Sequence, residues 1–277
     1  MKNSKRNIVA IVALAALLSA CSGDDGAIGP QGPQGETGAQ GPQGDTGSQG
    51  DQGPTGSFGA YTIEVTNITH GQPMAPSAII LHEPGFNGFV AGEAASLGIE
   101  TLAEGGSPDM LISEAQDATQ FLDATTTAGI NPPGETTALT TFLVPELDID
   151  NVRITVASML VDTNDAFIGV DAHDISNMTV GQQMTVFALI WDAGTEANLE
   201  TSSTMPGPAA TEAGGGGAGA GFDAARDDLI DAVRIHAGVV TSANASDASR
   251  EGLSTSVLDQ SDRFDSVGAK VVITRTR

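Results

Sequence analysis

After Gly59, Tyr61, Ile63 and Val65 alternate with Thr62, Glu64 and Thr66. A period of two predicts a strand with one face on a core and the other toward water. Apolar runs of strand length recur at residues 78–82, 136–144, 152–161, 166–170, 183–191, 232–237 and 269–276. Polar clusters such as Asn131, Pro132, Pro133 and Gly134 punctuate them, as turns require. Between the second and third runs, 93–104 and 108–115 carry helical patterning, the latter with Ser107 placed as N-cap and Pro108 in the first turn. Many strands joined by polar turns, without regular β-α alternation, predict an all-β fold, an antiparallel β-sandwich with short helical decorations.

Residues 206–221 are dominated by Gly and Ala. Such a segment cannot bury enough apolar surface to offset the entropy of ordering, so a mobile loop is expected there. An acidic amphipathic helix is expected over 222–231. Because 268–276 again has strand character, the loop interrupts one domain, 60–277, and does not divide two.

The first sixty residues follow other rules. From Gly26 to Phe58 every third residue is Gly. Three polyproline-II-like chains wound together admit only glycine at their axis, so this strict phase predicts a collagen-like stalk, 26–59, and a homotrimer through it. At roughly 3.1 Å per residue, the triplets would form a rod on the order of 100 Å long. Before the stalk, Lys2, Lys5 and Arg6 precede an apolar run, Ile8 to Leu18, which is too short to span a bilayer as a helix and suits a signal peptide over 1–20. Leu18, Ser19, Ala20 and Cys21 follow. They resemble the bacterial lipobox, which implies cleavage before Cys21 and lipidation of its thiol within a short 21–25 N-terminus. Several acyl chains would attach the protein firmly, at about 0.8 kcal/mol per buried CH₂. Ser22, in place of Asp, resembles the sorting pattern for the outer membrane. The expected location is therefore the bacterial cell surface, with the membrane as a partner through the lipid on Cys21.

Charge and composition narrow the chemistry. The 277 residues carry 35 Asp+Glu against 11 Lys+Arg, a formal net charge of -24. Nucleic acid is not expected as a partner, because phosphate binding needs clustered cations. With Cys 1, neither an intramolecular disulfide nor a Cys-based zinc cluster can form. Gly214, Gly216 and Gly219 have GxGxxG spacing, but no strand precedes them and Asp223, Asp227 and Asp228 follow, which would repel a pyrophosphate. His82 and Glu83 are followed by Pro84 and Gly85, not by the helical spacing of a metalloprotease. No nucleophile elbow occurs. His70 and His82 flank the first loop, His173 is placed in a turn and His236 in a late strand, where structural roles are expected. The expectation is a protein that is not an enzyme.

Two oxygen-rich segments cap successive strands: SMLVDTNDAFIGVD, 158–171, and WDAGTEANLE, 191–200. Calcium takes six to eight oxygens from carboxylates, amides, carbonyls and water, so Asp162, Asn164, Asp165, Asp192 and Glu196 are suitable ligand types. From these residues alone, solvated, turn-forming Asp and Asn is the favoured reading over calcium.

The same segments, together with VTNITHGQPMAPSAIILH (65–82), AEGG (103–106) and VRIHAGV (233–239), resemble the spondin N-terminal domain of extracellular-matrix proteins and bacterial surface proteins. The resemblance covers about 60–277. It implies an antiparallel β-sandwich akin to calcium-dependent membrane-binding domains, with calcium held by loops at one end. By motif position it carries the calcium role to Asp165 and Asp192, with Glu196 where animal members have Asp. The disulfide cysteines of animal relatives are absent, and their partners do not carry over. Anchor, stalk and head together predict a cell-surface lipoprotein that displays a calcium-binding module for adhesion to an extracellular protein or glycan. The alternatives are a surface-tethered hydrolase and a passive structural envelope protein.

Overall fold

The structure is a computed structural model that describes residues 29–36, 57–214, 221–242 and 252–277. The expected signal peptide, 1–20, Cys21 and most of the glycine triplets lie outside the described residues. Met1–Asp51 and Gln52–Arg277 are separate compact units. In the first, 29–36 are exposed and form neither helix nor strand.

The second unit is an antiparallel β fold with short helices, as the patterning predicts. Its elements are β1 (Phe58–Asn67), β2 (Ala78–His82), α1 (Leu97–Gly105), α2 (Asp109–Asp117), β3 (Phe121–Thr126), β4 (Thr140–Pro145), β5 (Arg153–Met159), β6 (Ala166–Asp174), β7 (Gln183–Asp192), α3 (Pro208–Glu212), β8 (Arg234–Ile235) and β9 (Val267–Arg275). The strands form one hydrogen-bonded path, β3-β2-β5-β6-β7-β9-β1-β4, with β8 added on β7. The path curls until β3 and β4, its two ends, touch. Two opposed faces of the curled sheet enclose the core, which makes the expected sandwich nearly a barrel.

The alternation seen in β1 does what it predicts: Tyr61, Ile63 and Val65 are fully buried while Thr62, Glu64 and Thr66 are half-buried. Ile63 pairs with Ile273 and Val65 with Val271, and these four join Ile79, Leu81, Ile154, Val156 and Ile168 in the main core. β2 has no polar face, and both of its faces are buried. Ile79 and Leu81 enter the main core, whereas Ala78 and Ile80 meet Ile99, Leu102 and Leu111 of the two helices. The helices are thus a cover for the outer side of β2, β5 and β6. On that side Phe89 packs edge-on against Phe167 and Trp191, with centroids 5.1 and 5.2 Å apart.

Several local expectations are corrected. α1 starts at Leu97, not at 93, because the Ser96 hydroxyl accepts the Ile99 N–H at 3.2 Å and caps it there. Ser107 does not cap α2: Pro108 stands at the cap position with no side-chain bond. Strand β3 has no clean alternation in its sequence, being an edge strand with every residue from Phe121 to Thr125 half-buried. His173 belongs to β6 and not to a turn. Residues 222–231 contain no helix, since their carboxylates are used to bind backbone N–H groups and arginines, as described below. The expected mobile loop at 206–221 is ordered in its first half: α3 forms there and Ala210 is buried with Met205, Val239 and Leu258. Residues 215–220 lie outside the described residues.

Candidate metal centre

The antiparallel ladder explains why two acidic turns remote in sequence converge. Asp165 immediately precedes β6 and Asp192 ends β7, and Ala166 is the register partner of Asp192. Asp192 is in turn registered with Arg234 of β8. The carboxylates of Asp165, Asp192 and Asp228 each place an oxygen within 4.8 Å of the others. Asp165 is 0% exposed and Asp192 2%.

Most oxygens in this cluster are committed. Oδ2 of Asp165 accepts the backbone N–H groups of Thr195 at 2.8 Å and Glu196 at 3.1 Å. Oδ1 of Asp192 accepts the Gly194 N–H at 2.8 Å, and its Oδ2 accepts Asn198 Nδ2 at 2.8 Å and the Arg234 guanidinium at 3.0 Å. Asp228 binds the same guanidinium at 2.7 Å and the Ile230 N–H at 3.0 Å. Oδ1 of Asp165 is the exception, buried with no hydrogen-bond partner. A buried acceptor left without a donor is costly. Burial, followed by the charge of Asp192, pushes the Asp165 carboxyl up to about 7. Asp192 is also raised by burial, against the opposing pull of Asn198, Arg234 and Gly194. Asp228 lies below the usual range because, although burial raises it, the Ile230 N–H and Arg234 prevail.

Gly194 makes this turn feasible. Its φ is +75°, and a Cβ there would lie 2.6 Å from backbone atoms of Ile230 and Ala232. The chain leading into β8 can therefore run directly over the turn, bringing Asp228 and Arg234 to the cluster. That chain is tied down from the other side by Arg226, whose guanidinium forks onto Glu100 of α1 at 2.7 and 3.1 Å and also reaches Asp231 at 2.7 Å.

The other sequence candidates are divided by the structure. Glu196 follows Thr195 and borders a polar cavity of about 150 Å³, with Asn164, Ser203, Thr204, Asp223 and Asp227. Burial, then the charges of Glu104, Asp165 and Asp227, push its carboxyl up to about 8. Asn164 is turned toward the 200–204 chain, accepting the Glu200 N–H at 3.2 Å and donating to the Thr204 carbonyl at 3.3 Å. Asp162 does not join the cluster: its Oδ1 accepts the Ala209 N–H of α3 at 2.8 Å. The intervening Thr163 pins the turn, donating to the Leu160 carbonyl at 2.6 Å and accepting the Ala166 N–H at 3.1 Å, so Asp162 and Asp165 face different neighbours. Asp228, Arg234 and Asn198 had no assigned role in the sequence. Cys21 lies outside the described residues.

A hard cation suits this donor set. Calcium–oxygen bonds of roughly 2.4 Å span oxygens up to roughly 4.8 Å apart, and the three carboxylate oxygens lie within that limit of one another. Three carboxylates against one guanidinium leave excess negative charge, and Asp165 presents an oxygen that the protein does not use. Asp165, Asp192 and Asp228 are therefore the residues that would hold the ion. A hydroxyl, an imidazole and a carboxylate also meet elsewhere, where His82 Nε2 lies 3.0 Å from Thr155 Oγ1 and Thr155 donates to Asp171 at 3.1 Å. His82 and Thr155 are both 0% exposed. This chain of bonds crosses β2, β5 and β6 beneath the helices.

An antiparallel β head with an acidic site where its strand ends meet, following a Gly-X-Y segment, defines the class. Comparison with known families gives it a name: residues 76–212 match the Spondin_N model, and residues 20–64 match the collagen triple helix repeat. The chain is a spondin N-terminal domain protein with a collagen-like repeat, a domain pairing of an extracellular or structural protein. Asp165 and Asp192 fall inside the Spondin_N match, whereas Asp228 and Arg234 lie beyond its end. A comparison with curated proteins found no match.

Proposed function

We propose that the chain is a bacterial cell-surface lipoprotein, anchored through Cys21, whose Spondin_N head binds calcium and serves adhesion to an extracellular protein or glycan without catalysis. The observation that carries this reading is the unpartnered, buried Oδ1 of Asp165 beside the carboxylates of Asp192 and Asp228. Bound calcium would supply positive charge where the carboxylates crowd. The protein's own part is positional. Gly194 and Asn198 orient Asp192, the Thr195 and Glu196 N–H groups orient Asp165, and Arg226 holds the 222–231 segment over the site. Loops fixed on a rigid sheet are where a recognition surface is best built. The collagen-like repeat is compatible with a trimer, which would present three heads and raise avidity for a repetitive polymer.

Calorimetry and thermal melting of the full chain with calcium and with chelator test the metal. Loss of the calcium bound at this cluster in Asp165→Ala combined with Asp192→Ala is expected; no binding to the wild type rejects it. A glycan and matrix-protein array, probed with and without calcium, tests adhesion. Turnover of a substrate by the head would overturn the non-catalytic reading.

A further inference from the structure

The outer face of β4 is apolar where a solvent-facing strand is ordinarily polar. Side chains alternate along a strand, and β4 sends Phe142 and Val144 into the core. The opposite parity carries Thr141, Leu143 and Pro145, and Leu139 and Leu147, which flank the strand, continue the same two-residue spacing. Leu139, Leu143 and Leu147 are 57%, 55% and 93% exposed. β1 widens the stripe: Phe58 pairs with Pro145 and Ala60 with Leu143, and directly paired residues share a face. Phe58 is itself exposed. The helices α1 and α2 pack against β2, β3, β5 and β6 and leave these side chains in water.

Single exposed leucines are ordinary, whereas an apolar row marks a contact surface. This row lies on a strand at one end of the sheet path, where association is readily templated. The chain itself indicates the partner. Phe58 closes the last Gly-X-Y triplet, and the Ser57 carbonyl accepts the Glu146 N–H at 2.9 Å. The residue that leads out of the repeat is thus bonded to the turn that carries Leu147. A collagen triple helix winds three chains about one axis, so three copies of Ser57 would emerge side by side, each with this stripe beside it. The stripe begins where identical chains have to meet. Proline, whose ring presets the backbone for such a helix, occurs in the repeat only at Pro30, Pro33, Pro42 and Pro54, which leaves a short stalk in need of a further contact.

We infer that Leu139, Leu143 and Leu147, with Phe58, form a contact between the heads of copies of this chain. Each copy's stripe meets its neighbour, and three such contacts close a ring. The inference rests on the trimeric reading of the collagen-like repeat. Head contact and triple helix then strengthen one another, because either one raises the effective concentration for the other.

Sedimentation equilibrium of the full chain tests the stripe, with circular dichroism melting to report the folding of each variant. The wild type is expected to be a trimer. Leu143→Ser combined with Leu147→Ser is expected to self-associate at least roughly tenfold more weakly. Phe187→Ser, which removes a comparably exposed residue from β7, is expected to match the wild type. Leu139→Ser with Leu147→Ser, both outside β4 itself, is the second probe if the first variant does not fold. A wild-type trimer that a folded stripe variant leaves unchanged overturns the head contact, keeps the stalk and leaves the stripe to a different protein. Equal weakening by Phe187→Ser also overturns it. A monomeric wild type removes both the head contact and the trimeric stalk.

Discussion

Asp165 accepts the backbone N–H of Thr195 at 2.8 Å through one carboxylate oxygen while its other oxygen, equally buried, has no partner. The residue is half structural and half unsatisfied. Asp165→Asn keeps an acceptor for Thr195 and places an uncharged amide beside Asp192. With chelator present, the variant is expected to melt above the wild type. Calcium at roughly 100 times its dissociation constant should stabilise the wild type by about 2.7 kcal/mol, and this increment should vanish in the variant. Equal calcium-dependent shifts in both proteins would remove Asp165 from the ligand set.

Asp162 gives a pH dependence that does not involve the cluster. Burial raises its carboxyl to about 6, with the charges of Asp262 and Glu212 adding to the Ala209-opposed effect. The folded chain therefore holds this proton more tightly than the unfolded chain. The contribution is fully present below about pH 4 and is lost as pH rises through about 6. Asp162→Asn retains an acceptor for Ala209 and does not ionise. Urea denaturation between pH 4 and 8 should show a flatter profile for the variant, with a gain at pH 8 of at most about 3 kcal/mol. Parallel profiles would show that Asp162 is not the group responsible.

Gly194→Ala tests the close crossing beneath β8. The left-handed backbone alone costs a side chain about 1–2 kcal/mol, and the added methyl also meets Ile230 and Ala232 backbone atoms at 2.6 Å. The 230–232 chain must move, and it lies between Asp228 and Arg234. Both a lower melting temperature and at least a roughly tenfold loss of calcium affinity are expected; 1.4 kcal/mol of lost binding corresponds to that factor. Unchanged values of both would mean that the crossing does not position the site.

In the stalk, nothing lies within 4 Å of a Cβ added at Gly35. A single chain accommodates Gly35→Ala there, whereas a triple helix does not. Sedimentation equilibrium of the full chain is expected to give a trimer for the wild type and weaker association for the variant, with the melting of the head unaltered. Identical association states would exclude a triple helix at this triplet.

The sheet was legible in the sequence where one physical rule governed a whole strand. The two-residue period of β1 was decisive, and the apolar run of β2 marked a strand, though not that both of its faces are buried. β3 escaped because an edge strand with half-buried residues from Phe121 to Thr125 has no polar face to set against an apolar one. At the site, Asp165 and Asp192 could be linked because each lies in an oxygen-rich segment that caps a strand and holds the matching motif position. Asp162 was grouped with them by proximity along the chain, but the Thr163 turn sends it toward α3. Asp228 was read as part of an amphipathic helix. Its role depends on Arg226 reaching Glu100 across 126 positions, a pairing that no local pattern records.

The placement of β9 between β7 and β1 also governs when the head can assemble. Strands made early in synthesis have no hydrogen-bonded neighbour on that side until 267–275 emerge. Deleting them would open a gap in the middle of the sheet and not merely trim an edge. Because non-local pairings must close before they are rewarded, the sheet cannot close around its core until 267–275 join it.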